Sequence, residues 1–132
     1  MCIRDSLVPL LPGDAQVGAV VPIPLHRTRL RERGFNQATL LARRFSASLD
    51  DIPVTEIERT GSITPQVGLT TAERSANVAD AFVVPLPGLV TGRSLVLIDD
   101  VITTTATMTS CARALAEAGA HTIICLSIAR AE

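Results

Sequence analysis

Leu95-Val96-Leu97-Ile98-Asp99-Asp100-Val101-Ile102-Thr103-Thr104-Thr105-Ala106-Thr107 decides the fold of this chain. A short apolar run rich in Val and Ile, entered just after Gly92, has the length and composition of a buried parallel strand. It ends in two acids. Four threonines among five residues follow, and then Met108, Cys111, Leu115 and Ala118 recur at helical spacing. The reading is strand, polar loop, helix. In an open α/β sheet, ligands sit beyond the carboxyl ends of the strands, where a following helix offers free backbone N–H groups and the positive end of its dipole. Hydroxyls and amides at such a turn suit a phosphate, and adjacent carboxylates suit a diol or a hydrated Mg²⁺. A ribose 5-phosphate carries all of these groups.

Working outward, Val17 to Pro24 is the first strand, with prolines at its end where a ladder donor can be spared. Leu25 to Gly34 reads as a loop carrying His26 and the alternating Arg27, Arg29, Arg31 and Arg33. Asn36 is an N-cap for a helix whose apolar face would be Ala38, Leu41, Phe45 and Leu49, ended by Asp50-Asp51-Ile52-Pro53. Val54 to Arg59 is a short strand. Thr60 to Asp80 loses apolar periodicity and fills with Thr, Ser, Gly and Gln, as a functional lid or a disordered excursion would, with a helical turn placed at Ala72 to Val78. Ala81 to Val84 is a brief strand, and Pro85-Leu86-Pro87-Gly88 and Gly92-Arg93 are turns. Gly119 is the C-cap of the second helix, and Thr122 to Ile128 a last buried strand. This order predicts an α/β fold on a parallel sheet with right-handed crossovers.

The 132 residues suffice for one domain and one core, and the composition, 47% hydrophobic and 19% charged, is that of a soluble globular protein. No apolar run approaches the roughly 20 residues of a membrane span. Leu7 to Leu11 is too short for a signal-peptide core, so a cytoplasmic location with no membrane partner is expected. Three widely spaced cysteines suggest neither a disulfide framework nor a zinc site, and Cys111 and Cys125 read as buried small hydrophobes. All twelve basic residues are arginine, whose planar forks suit phosphate and pyrophosphate oxygens. From charge alone the arginine series reads more readily as a solvated surface loop. A net charge of −1 and three aromatics argue against a dedicated binder of double-stranded nucleic acid.

The Asp99 to Thr107 stretch resembles the phosphoribosyl pyrophosphate (PRPP) signature of the type I phosphoribosyltransferases. That signature is an apolar strand, two acids, two aliphatics and a Thr-Thr-Gly-x-Thr loop. Thr105 stands where the family usually has glycine, and a β-branched residue fits poorly where a backbone passes close to a phosphate, above all at positive φ. Further stretches resemble the ComF branch, named for competence and DNA uptake: Val21-Pro22-Ile23-Pro24-Leu25-His26, Arg33-Gly34-Phe35-Asn36-Gln37, Leu41-Ala42, Gln66, Leu69, Arg74, Asn77-Val78 and Ala81-Phe82. The likeness runs from Val17 to Ala129, so 1–16 reads as a non-matching or truncated segment and 17–132 as a phosphoribosyltransferase-like domain. ComF-like chains often carry an N-terminal zinc module that is not visible here.

The resemblance implies a phosphoribosyltransferase fold that displaces pyrophosphate from PRPP by a nitrogen nucleophile of unknown identity. It implies Mg²⁺ as cofactor, with Asp99 and Asp100 holding the ribose hydroxyls directly or through the metal. Thr103, Thr104, Thr105, Ala106 and Thr107 would form the 5-phosphate turn, His26 and Arg27 the pyrophosphate side, and Arg74 part of the closing segment. Competence proteins are the implied partners of a non-catalytic alternative, and dimers are common among the relatives. Each group also has a plainer reading. The acids could end a strand in solvent, the threonines could merely cap the helix, His26 could be a surface histidine, and Arg74 could sit in a loop without contacts.

Overall fold

In the computed structural model the described residues are 16–25, 27–59, 82–102 and 105–130, with the side chains of Arg27, Thr28 and Ile102 outside the description. A parallel three-stranded sheet forms the centre, in the order β1 (Ala19–Pro22), β4 (Ser94–Ile102), β5 (Thr122–Arg130). Ala19 lies opposite Leu95, and Leu95 opposite Ile123. Val54 adds a single parallel bridge on the far side of β1, opposite Val20. Because β4 is covered on both faces, Leu95, Val96, Leu97 and Ile98 are all fully buried. Alternation along the strand sorts them. Leu95 and Leu97 pack with Met108, Cys111 and Leu115 of α3 (Ala106–Glu117), whereas Val96 and Ile98 pack with Ala42 and Phe45 of α2 (Gln37–Ala47).

The expected caps form. Asn36 adopts an extended backbone, its Oδ1 accepts from the Ala38 N–H at 3.0 Å, and its Nδ2 donates to the Ile23 carbonyl at 3.0 Å, fixing α2 to the end of β1. Gly119, at φ +97°, follows Ala118, the C-cap residue of α3. Its N–H donates to Ala116 O and that of Ala120 to Leu115 O, which closes the helix in a Schellman motif.

Several expectations are corrected. Leu25 to Gly34 is not a plain loop: Arg27–Arg33 forms a helix, α1, closed by Gly34 at φ +79° with its N–H on Leu30 O. Arginine is a good helix former, so alternating arginines do not mark a loop. At about 100° per residue their side chains spread around α1 instead of forming one row. The buried face of α2 is Ala38, Ala42, Phe45 and Ser46, with Leu41 and Leu49 only flanking it. The parallel pattern breaks at β2 (Glu58–Arg59) and β3 (Phe82–Val83), which pair antiparallel as a separate ribbon. The last strand is an edge rather than a buried element. It pairs with β4 alone among the described residues, and only Leu126 is buried on it, while Cys125 and Ile128 are exposed. Cys111, by contrast, is fully buried as expected. The expected turn at Pro85 to Gly88 is realised as a 3₁₀ turn over Pro87–Leu89.

Candidate functional site

Asp99 and Asp100 lie half-buried on the last turn of pleat of β4, beyond the fully buried part of the strand. Asp99 continues the row of Leu95 and Leu97 and so shares the α3 side of the sheet, while Asp100 continues the row of Val96 and Ile98. The Asp100 N–H donates to Asp99 Oδ1 at 2.8 Å, and the Val101 N–H to Asp100 Oδ1 at 2.8 Å. One oxygen of each carboxylate is thus spent on the backbone.

Desolvation, and then side-chain hydrogen bonding with Asp100, push the Asp99 carboxyl up from 3.8 to about 6, against the opposing charge of Arg59. Arg59 is the neighbour that sequence reasoning missed. It ends β2, lies with its guanidinium carbon 5.6 Å from the ring centre of Phe82, and has its pKa lowered by burial and then by Arg29. A β2–β3 pair of two residues each has no periodicity to read. The only signal was an arginine next to the polar 60–80 stretch. Phe82 is buried in the core beneath Arg59, whereas Phe35 is half-exposed.

Beyond the acids the chain turns into α3. Thr105 is its N-cap, at φ −82° and ψ −4°, and its side chain makes no capping hydrogen bond. Its hydroxyl is exposed, and the backbone does not take the left-handed conformation that penalises a β-branched residue. The N–H groups of Ala106, Thr107 and Met108 open the helix, and the first intrahelical bond of this turn is Thr109 N–H to Thr105 O at 2.8 Å. No acid stands in the first turn to compete with an anion. Thr103 and Thr104, between the acids and this helix, lie outside the described residues, as do His26, Gln66, Arg74 and the whole 60–80 stretch. The backbone of Arg27 begins α1, apart from Asp99 and Asp100 in the chain and on a different element.

A cleft of about 360 Å³ opens at the carboxyl end of β1, between α1, α2 and residues 56–59. Its lining includes Pro22, Phe35 and Arg59 but neither acid, so Arg59 is the residue common to the cleft and to the surroundings of Asp99. Among the described residues no group of three or more His, Cys, Asp or Glu side chains gathers as a metal centre. Two adjacent hard-oxygen donors nonetheless fit Mg²⁺, which takes one or two carboxylates and completes its shell with water and substrate phosphates.

The family model for the phosphoribosyl transferase domain matches residues 30–132. Competence protein F of Haemophilus influenzae is 34% identical over 115 residues, covering 86% of this chain and 50% of that protein. The DNA utilization protein YhgH of Escherichia coli K12 is 37% identical over 108 residues, covering 79% and 45% respectively. The chain therefore spans about half the length of these curated relatives. Among solved structures, the allosteric regulatory enzyme of purine biosynthesis aligns at a TM-score of 0.64 and 17% identity, over 95% of this chain and 24% of that one. Glutamine PRPP amidotransferase from B. subtilis aligns at 0.61 and 18%, over 96% and 26%. These two likenesses show the fold. Taken with the acid pair at the end of β4, the family match leads to one conclusion: the chain belongs to the phosphoribosyl transferase domain family, and its curated relatives are proteins named for competence and DNA utilization.

Proposed function

We propose that this domain binds PRPP with Mg²⁺ and transfers its phosphoribosyl group to a nitrogen acceptor, releasing pyrophosphate. The observation that carries the reading is the pair of half-buried carboxylates ending the central strand of a phosphoribosyl transferase domain, next to a helix N-terminus with no acid in its first turn. Asp99 and Asp100 take the ribose hydroxyls or the metal. The Thr103 to Thr107 turn takes the 5-phosphate through hydroxyls and the first N–H groups of α3. His26 and Arg27 serve the pyrophosphate side, and Arg74 belongs to the segment that closes over it. Arg59 joins them as a cation beside Asp99. Bound Mg²⁺ would neutralise the charge that builds on the departing pyrophosphate.

Displacement at C1 passes through a state resembling an oxocarbenium ion, so the residues contribute chiefly by holding the sugar in line and by stabilising separated charge. A closing segment over Thr60 to Asp80 would keep water from the cation. The site lies at the carboxyl end of a parallel sheet, as ligand sites of open α/β folds do. Incubation with PRPP, Mg²⁺ and a panel of bases and amines, read by pyrophosphate release, tests the reading. Release that needs an acceptor supports it; no release in a version extended to the full length of the relatives overturns it.

The relatives' names favour a second reading, in which the pocket binds PRPP without turnover and the domain acts as a partner of DNA-uptake proteins. Calorimetry alongside the release assay separates the two. Binding without turnover selects the module, and turnover selects the transferase.

A further inference from the structure

The cleft at the carboxyl end of β1 adjoins the sugar site, because Arg59 lines the cleft and also feels the charge of Asp99. A molecule seated there lies beside the guanidinium that neighbours the ribose carboxylates. A volume of about 360 Å³ is that of a small-molecule site, which typically measures roughly 300 to 1,000 Å³. Part of the wall is apolar: Leu30, Phe35 and Leu40 line it and stand exposed, although all three are large and hydrophobic. An aromatic face and two leucines open to solvent suit a flat ring, which covers them by stacking.

The charged lining is Arg43 and Arg59 against Glu56 and Glu58, so its formal charges cancel. A charged ring of either sign is attracted by one pair and repelled by the other, and loses hydration with no net attraction in return. A neutral ring that donates at one edge and accepts at another can use both pairs. Asn36 also lines the cleft, but both ends of its amide are engaged, by the Ile23 carbonyl and the Ala38 N–H. The requirement for a nucleophile points the same way, since a protonated amine has no lone pair with which to attack.

We propose that this cleft is the acceptor subsite of the domain, that it takes a neutral amino-substituted heteroaromatic base, and that Glu58 is the general base of the transfer. The assignment rests on the phosphoribosyl transfer reading and deepens it by naming the class of acceptor. Leu30, Phe35 and Leu40 hold the ring, Glu56 accepts from its amino group, and Arg43 donates to a ring nitrogen. The attacking nitrogen forms its bond to C1 of PRPP as the bond from C1 to the pyrophosphate oxygen breaks, and that oxygen keeps the electron pair. The proton of the nitrogen passes to the carboxylate of Glu58, which adjoins Arg59 in β2 and is exposed, so that water can remove it.

Calorimetry of the full chain with adenine, orotate, nicotinate, and PRPP with Mg²⁺, each added alone, followed by pyrophosphate release at saturating PRPP, tests this. Adenine should bind saturably, and the two carboxylated rings at least about tenfold more weakly, because each brings an unmatched charge. Phe35→Ala should weaken adenine binding by about five- to tenfold and leave PRPP affinity unchanged. Glu58→Gln, at an exposed position, should hold both affinities within about threefold while lowering kcat for adenine-dependent release at least about a hundredfold. A merely structural role would not divide kcat from binding in this way. No adenine binding, carboxylated rings bound as tightly as adenine, or adenine binding indifferent to Phe35→Ala overturns the subsite, and PRPP binding then still upholds the sugar site. Undiminished kcat in Glu58→Gln overturns the general base. Binding of both adenine and PRPP without release overturns the acceptor assignment and leaves the PRPP site intact, whereas failure of PRPP to bind removes the transfer reading and the acceptor subsite with it.

Discussion

Replacing Asp99 by Asn should make the ligand-free domain more stable and the PRPP site weaker, and the two effects should separate with pH. The Asp99 carboxyl is raised from 3.8 to about 6 by burial and by Asp100, so the folded chain holds this proton more tightly than the unfolded chain does. A raised carboxyl contributes stability below about pH 4 that is lost as the pH climbs through 6. At pH 7 the ionised group is therefore a burden to the fold. Taken at face value the gap is worth roughly 3 kcal/mol, and because the side chain is half in solvent, screening reduces this to about 1 kcal/mol. For a domain of this size that is roughly 3 to 5 °C in Tm. Asn keeps the shape and can still accept from the Asp100 N–H through its Oδ1. Thermal melts of wild type and Asp99→Asn at pH 4 and pH 7, each without ligand, should show the variant ahead at pH 7 and level at pH 4. PRPP binding by the variant should fall by at least about tenfold, since one hydrogen bond to a charged group is worth roughly 1.5 to 3 kcal/mol. Equal Tm values at pH 7, or the same gap at both pH values, would refute the reasoning, because either result means that Asp99 is not ionised against its surroundings.

Thr105→Gly should tighten PRPP binding by opening room at the phosphate turn, while lowering Tm by a degree or two through backbone entropy at the helix cap. Weaker binding, measured by calorimetry, would show that the Thr105 hydroxyl is itself a ligand. The buried Thr55 hydroxyl has no hydrogen-bond partner among the described residues, so Thr55→Val should stabilise the fold by about 1 kcal/mol in denaturant melts; a loss of stability would mean that the hydroxyl is satisfied. Cys111 is fully buried with its thiol pushed up to about 12, chiefly by desolvation, so it should resist alkylation at pH 8 until the protein unfolds. The exposed Cys125 should be modified before Cys111, and site-resolved mass spectrometry reads the order.

The parts of this molecule that were legible in the sequence are those where one side chain or one run carries its own physical signal. Leu95 to Ile98 has the length and composition of a strand covered on both faces, as it proves to be, and that located the acids at its end. Asn36 and Gly119 act within a few residues of themselves, as caps must. What escaped depends on distant partners. The α1 helix needed Gly34 as a terminator and was hidden by reading alternating arginines as a loop. The exposure of Cys125 and Ile128 follows from β5 being an edge, which is a property of strand order and not of its own residues. Arg59 comes near Asp99 from a strand that pairs over two residues only, and so short a pairing leaves no pattern.

Calorimetric titration of PRPP with Mg²⁺ into the wild-type chain and into the double variant Asp99→Asn, Asp100→Asn decides whether the acid pair holds the sugar phosphate. Saturable one-to-one binding to the wild type, lost in a double variant that still melts cooperatively, is the predicted result. Binding of equal strength in both proteins, or none to the wild type at millimolar PRPP, would contradict it.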